Sequence, residues 1–82
     1  MDKKLHTVQP VHMDDVYLHL IVDGQAYRIR WADCSPRLMQ ATLSQRRNLD
    51  VSPSGYGIHW PEIDEDLAIT PLLEHAEAVE MA

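Results

Sequence analysis

Phenylalanine is missing from the 82-residue sequence altogether, so Trp31, Trp60 and three tyrosines must supply all of its aromatic bulk. A core of any size has to gather around the two tryptophans. Cys34 is the single cysteine, which excludes an internal disulfide and fits a reducing compartment. No apolar run exceeds three residues, as at Leu20–Val22, far short of the ~20 that a membrane-spanning helix needs. No apolar stretch follows Lys3 and Lys4 either, so a cytoplasmic chain without a signal peptide is expected. Basic residues are scarce as well. Seven Lys and Arg against thirteen Asp and Glu leave a formal charge of −6, a field that repels phosphate backbones and argues against a nucleic-acid partner.

What remains is the composition of a folded globule, 45% hydrophobic and 24% charged. Residues 1–82 read as a single domain, without repeat, low-complexity tract or linker. A chain this short hides only ~60–65% of its unfolded surface on folding, which argues against a deep catalytic cavity.

Asp23-Gly24 is a two-residue turn of the kind that tolerates positive φ and matches strand twist. With it at a hairpin tip, Val22 faces Gln25, Leu20 faces Tyr27, His19 faces Arg28, Leu18 faces Ile29, Tyr17 faces Arg30 and Val16 faces Trp31. Val16, Leu18, Leu20, Tyr27, Ile29 and Trp31 then share one side, and Tyr17, His19, Arg28 and Arg30 the other. A one-residue slip would invert every side chain, so agreement of both strands on an apolar side supports the register. Upstream, Thr7 to Met13 contains Pro10 and is expected at a sheet edge.

Ser35-Pro36 reads as an N-cap followed by the first helical residue, opening a helix with Leu38, Met39, Thr42 and Leu43 on one side. It ends near Arg46-Arg47-Asn48, where the arginines suit the C-terminal dipole. A second hairpin with Ser54-Gly55 at its tip pairs Val51 with Ile58 and Leu49 with Trp60. Pro61 ends that strand, Glu62, Asp64, Glu65 and Asp66 form an acidic turn, and Thr70-Pro71 opens a second helix striped by Leu72, Leu73, Ala76 and Val79. The expected fold is α+β, a mostly antiparallel sheet of about five strands with two helices on one face, in the order β-β-β-α-β-β-α. Leu18, Leu20, Ile29, Trp31, Ile58 and Trp60 are its expected core.

Val16 to Leu20 with Asp23-Gly24, then Trp60-Pro61 and Asp64 to Leu67, resemble the wording of the domain of unknown function 2442 family, from about residue 8 to residue 75. The resemblance implies a small bacterial α+β domain, found alone or as the N-terminal domain of some helix-turn-helix regulators. It further implies frequent encoding beside another uncharacterised family, domain of unknown function 4160, in toxin–antitoxin-like arrangements. No second, helix-turn-helix domain is present in these residues. The family brings no established catalytic residues to carry over.

The acidic turn invites a calcium reading, because hard cations want clustered oxygens, but an EF-hand loop begun at Glu62 or Asp64 puts Leu67 or Ile69 where glycine is needed. Five histidines, none spaced as a zinc pair and without a Cys-x-x-Cys, read as scattered surface residues. No cofactor, metal or catalytic set is therefore expected. Asp64, Glu65 and Asp66 as acid–base groups of a small enzyme form a weaker alternative, since such groups need a water-excluding pocket. Cys34 at a helix start could be a nucleophile, yet Asp33 opposes its thiolate and no histidine is placed as base. Arg28 and Arg30 with Tyr17 and His19 form a thin platform for nucleic acid, although stacking of Tyr17 on Arg30 explains the pair without a ligand. The expectation is a protein-binding or regulatory module, antitoxin-like by the resemblance. It would dock a basic, toxin-like protein partner through Trp60, Glu62, Asp64, Glu65 and Asp66.

Overall fold

A computed structural model describes residues 5–80, so Lys3 and Lys4, and the leader expectation placed on them, lie outside the described residues. Strands β1 (Val8–Met13), β2 (Tyr17–Val22) and β3 (Gln25–Arg30) form the first hairpin and its edge neighbour. Asp23 and Gly24 take φ of 51° and 85° at the tip, and the six pairs from Tyr17↔Arg30 to Val22↔Gln25 follow the register expected from the turn. β1 pairs antiparallel to β2, and its register shifts between Pro10 and His12, a bulge where proline cannot donate to the ladder.

The hairpin stops one pair earlier than its apolar side suggests. The Val16 carbonyl still accepts the Trp31 N–H at 3.0 Å, but the Val16 side chain stands in solvent and Trp31 opens a short helix. The cause is Asp14, whose Oδ1 accepts the N–H groups of Val16 and Tyr17 at 2.8 and 2.6 Å. Those bonds tie the chain into a turn before the strand begins.

In place of one helix after Trp31 there are three, α1 (Trp31–Cys34), α2 (Pro36–Met39) and α3 (Leu43–Arg47). Ser35 caps α2 as expected, its Oγ accepting the Leu38 N–H at 3.0 Å with Pro36 in the first turn. The break has a local reason. Thr42 Oγ1 accepts the Gln45 N–H at 3.1 Å and Gln45 Oε1 accepts the Thr42 N–H at 2.9 Å, so a capping box starts α3 and leaves Met39 exposed.

A second antiparallel sheet contains β4 (Asp50–Val51), β5 (Gly57–Trp60) and β6 (Glu65–Ala68). Val51 pairs with Ile58 as expected. At the β4–β5 turn, a Cβ on Gly55 would lie 1.8 Å from the His6 carbonyl oxygen, and its φ is 72°. Glu65 and Asp66 belong to β6, so the acidic turn is shorter than the sequence suggests and spans only the loop before Glu65.

Helix α4 (Ile69–Leu73) begins before Pro71, without a side-chain cap, and ends at Leu73. Thr70 is therefore no N-cap; its Oγ1 lies 3.1 Å from His6 Nε2. The expected continuation through Ala76 and Val79 is replaced by β7 (Glu77–Val79), which pairs with β3 and completes the order β1-β2-β3-β7. The open edge of β3 satisfies these backbone groups, and the register brings Glu77 opposite Arg28 for a bidentate ion pair. The class is thus α+β and antiparallel, with seven strands in two sheets and four short helices among the described residues.

One core joins both sheets: Leu18, Leu20, Val22, Ile29, Ile58 and Trp60 from strands, Trp31, Leu38, Ile69 and Leu72 from helices. Trp31 and Trp60 meet edge to face with ring centroids 6.4 Å apart. The Arg46 guanidinium lies 5.0 Å over the Trp31 ring and donates to the carbonyls of Leu38, Met39 and Asp15 at 3.0, 2.9 and 3.2 Å. Trp60→Ala is expected to lose about 3–5 kcal/mol, comparable to the whole stability of so small a domain. Arg46→Met, which removes the guanidinium donor from all three carbonyls and leaves, among the described residues, only that of Leu38 with a backbone partner, the Ala41 N–H, is expected to lose about 2–3 kcal/mol. Urea unfolding followed by tryptophan fluorescence measures both, and a parent-like midpoint for either would contradict this account of the core.

Asp14 supplies a second test. The backbone N–H groups of Tyr17 and Val16, with His19 beside them, hold its carboxyl down at about 2, below the ordinary 3.8. A group depressed on folding contributes stability above its unfolded value and loses it as pH falls toward the folded one. Asp14→Ala should therefore melt below the parent at pH 5, with the gap closing between about pH 4 and pH 2; a pH-independent gap would contradict it.

Candidate docking site

Pro61 to Asp64 form the loop between β5 and β6, and its shape is imposed from a distance. Arg37 Nη1, at the start of α2, donates to the carbonyls of Ile63 and Asp64, both at 3.1 Å. Asp64 takes φ of 50°, a left-handed conformation that Asp tolerates better than most residues. Strand pairing then sorts the carboxylates. His59 lies opposite Asp66, and its Nδ1 is 2.7 Å from Asp66 Oδ1. Glu65 lies opposite buried Trp60, and its Oε1 accepts the Asp66 N–H at 3.2 Å. Glu62 Oε2 accepts from Asn48 Nδ2 at 2.9 Å.

The four carboxylates thus do not share one surface. Asp64 and Asp66 gather with His59, one donor atom of each lying within 4.8 Å of the others. Such a set can lend three ligands to a divalent cation at the expense of the His59–Asp66 hydrogen bond. Linear spacing does not reveal it, because the β5–β6 register and the Asp64 backbone create it. Trp60, expected at the contact surface, is completely buried and supports the loop from beneath. Among the described residues no Lys or Arg side chain forms a salt bridge with Glu62, Asp64, Glu65 or Asp66.

The opposite candidate, the outer face of the first sheet, does bring Tyr17, His19, Arg28 and Arg30 together, but with its charge cancelled. Arg28 holds Glu77 at 2.9 and 3.2 Å, and Arg30 Nε donates to Asp33 Oδ2 at 2.9 Å. The hydrogen bond to Arg28 lowers the Glu77 carboxyl and raises the guanidinium in return. The cation over Tyr17 is Arg28, 4.7 Å from the ring centre, rather than the directly opposite Arg30, while His19 Nε2 sits 3.1 Å from Asp14 Oδ2. Helical spacing hides Glu77 in the sequence; its place between Ala76 and Ala78, polar between apolar, is the strand signal there.

Cys34 is half-buried, and burial together with Asp33 pushes its thiol up to about 12, against a smaller opposing effect of Arg46. It packs against the core and lines a shallow hollow beside Pro71 and Leu72 of α4. Iodoacetamide at pH 8 should alkylate the folded protein at least tenfold more slowly than the urea-unfolded chain; equal rates would mean an accessible thiolate.

Two antiparallel sheets on one core, closed by four short helices, define a small α+β domain. The family model described as protein of unknown function (DUF2442) matches residues 8–78, most of the chain, and the protein belongs to that family. No curated protein and no solved structure matches it.

Proposed function

We propose that this domain is a small cytoplasmic protein-docking module that presents the Glu62 to Asp66 segment to a basic protein, in the antitoxin-like, regulatory role that the family resemblance suggests. One asymmetry carries the reading. The arginines of the first sheet are matched by Glu77 and Asp33, whereas the carboxylates of the Glu62 to Asp66 segment, in the β5–β6 loop and the start of β6, have no Lys or Arg side-chain partner among the described residues. Exposed carboxylates that no Lys or Arg closes in a salt bridge, on a chain of net charge −6, steer a basic partner and set specificity more than raw affinity. Arg37 holds the loop by its carbonyls, so little ordering remains to oppose association.

Other readings draw less support. Arginines already paired with carboxylates make a poor surface for phosphates. Asp64 and Asp66 stand in solvent, without the enclosure that acid–base chemistry requires. In the described residues no helix is long and apolar enough to cross a membrane.

The test is kinetic. With the partner captured on the immobilised domain and identified by mass spectrometry, Asp64→Lys and Asp66→Lys should slow association about tenfold at low salt and flatten its dependence on ionic strength. Dissociation should change less. If both variants fold and associate like the parent while Arg28→Glu abolishes binding, the first sheet is the interface and the acidic-loop reading is wrong.

A further inference from the structure

A concave surface adjoins the acidic loop on the second sheet. Gly57 and Ala68 are paired across β5 and β6, next to the His59–Asp66 pair, while Ile58 and Leu67 between them turn toward the core. Two positions with at most a methyl group leave a hollow of about 450 Å³ between Tyr56 and His59–Asp66. Gly57 has no freedom to fill it, since a Cβ there would lie 2.7 Å from the Leu67 carbonyl oxygen. Tyr56, at the rim, leaves 60% of its surface in water. An apolar hollow with an aromatic rim and carboxylates at one end is chemically two-sided.

We infer that this hollow is the specificity pocket of the docking site and receives one aliphatic side chain from an extended, basic segment of the partner, whose Lys or Arg neighbours meet Asp64 and Asp66. The inference rests on the docking reading above and adds to it the chemistry of the bound segment. Charge complementarity selects the occupant. Asp66 lines the hollow and Asp64 adjoins it, and no Lys or Arg pairs with either among the described residues. A second copy would bring another acidic chain against them, and a purely apolar ligand would leave them without a role. A partner with cations flanking an apolar anchor satisfies both halves, the anchor giving specificity and the cations steering.

The probes are a short Lys/Arg-rich peptide with one central leucine and its counterpart with alanine, titrated against the full chain by fluorescence anisotropy at low salt. The leucine peptide is expected to bind about tenfold tighter. Ala68→Leu, which fills the hollow, should erase that difference while leaving weak, salt-sensitive binding of both peptides. Tyr56→Ala, a change at an exposed position, should reduce the preference without affecting melting, and decides the matter if Ala68→Leu does not fold. Equal binding of the two peptides, abolished by Asp66→Lys, overturns the pocket and leaves the acidic-loop reading standing. No binding of either peptide counts against both. Concentration-dependent dimers in sedimentation that vanish in Tyr56→Ala would make a second copy the occupant and overturn the inference.

Discussion

Arg46, only 6% exposed, forms no salt bridge among the described residues and is held instead by three backbone carbonyls and the face of Trp31. A cation so placed would be costly to bury if its hydrogen bonds were incomplete. Here the three bonds fasten two separate pieces of chain. Leu38 and Met39 belong to the last turn of α2, where the Leu38 carbonyl also accepts the Ala41 N–H at 3.2 Å, and Asp15 belongs to the turn before β2. The Arg46 carbonyl in turn accepts the Trp60 indole N–H at 2.9 Å, and the Trp31 indole donates to the Asp14 carbonyl at 2.8 Å. Both tryptophans are thereby buried with their polar atoms satisfied, and no buried side-chain nitrogen or oxygen lacks a partner among the described residues.

The docking surface inherits its order from this assembly. Trp60 is the last residue of β5 and is fixed through Arg46, so the loop leaves the sheet at a defined point. Arg37 then fixes the far side of the same loop by the Ile63 and Asp64 carbonyls. Two arginines of the helical segment thus act on backbone rather than on acids. The loop carboxylates are left facing water, and that is the electrostatic basis of the proposed function. The arginines of the first sheet do the opposite, closing on Glu77 and Asp33 and spending their charge on the fold.

Local chemistry was legible in the residues themselves. Asp23-Gly24 determined the first hairpin and six of its seven expected pairs, Ser35-Pro36 the start of α2, and the placement of Val51 and Ile58 the second hairpin, because each depends on neighbours a few residues apart. The six expected core residues are all buried; for the five on strands, alternation in a known register places them on the core side, and Trp31 is buried although it opens α1. The Thr42–Gln45 capping box was equally local, and helical periodicity masked it.

Tertiary structure alone decided the rest. Residues 77–79 carry a pattern compatible with helix or strand, and only the unpaired edge of β3 makes them a strand. The gathering of Asp64 and Asp66 with His59, the hollow over Gly57 and Ala68, and the burial of Arg46 all arise from groups brought together by sheet pairing and packing. Composition determined that the chain is acidic, small and centred on two tryptophans. Which charges cancel and which remain facing solvent was settled by distance in the folded state, because a carboxylate's partner is whatever cation the fold places within about 4 Å of it.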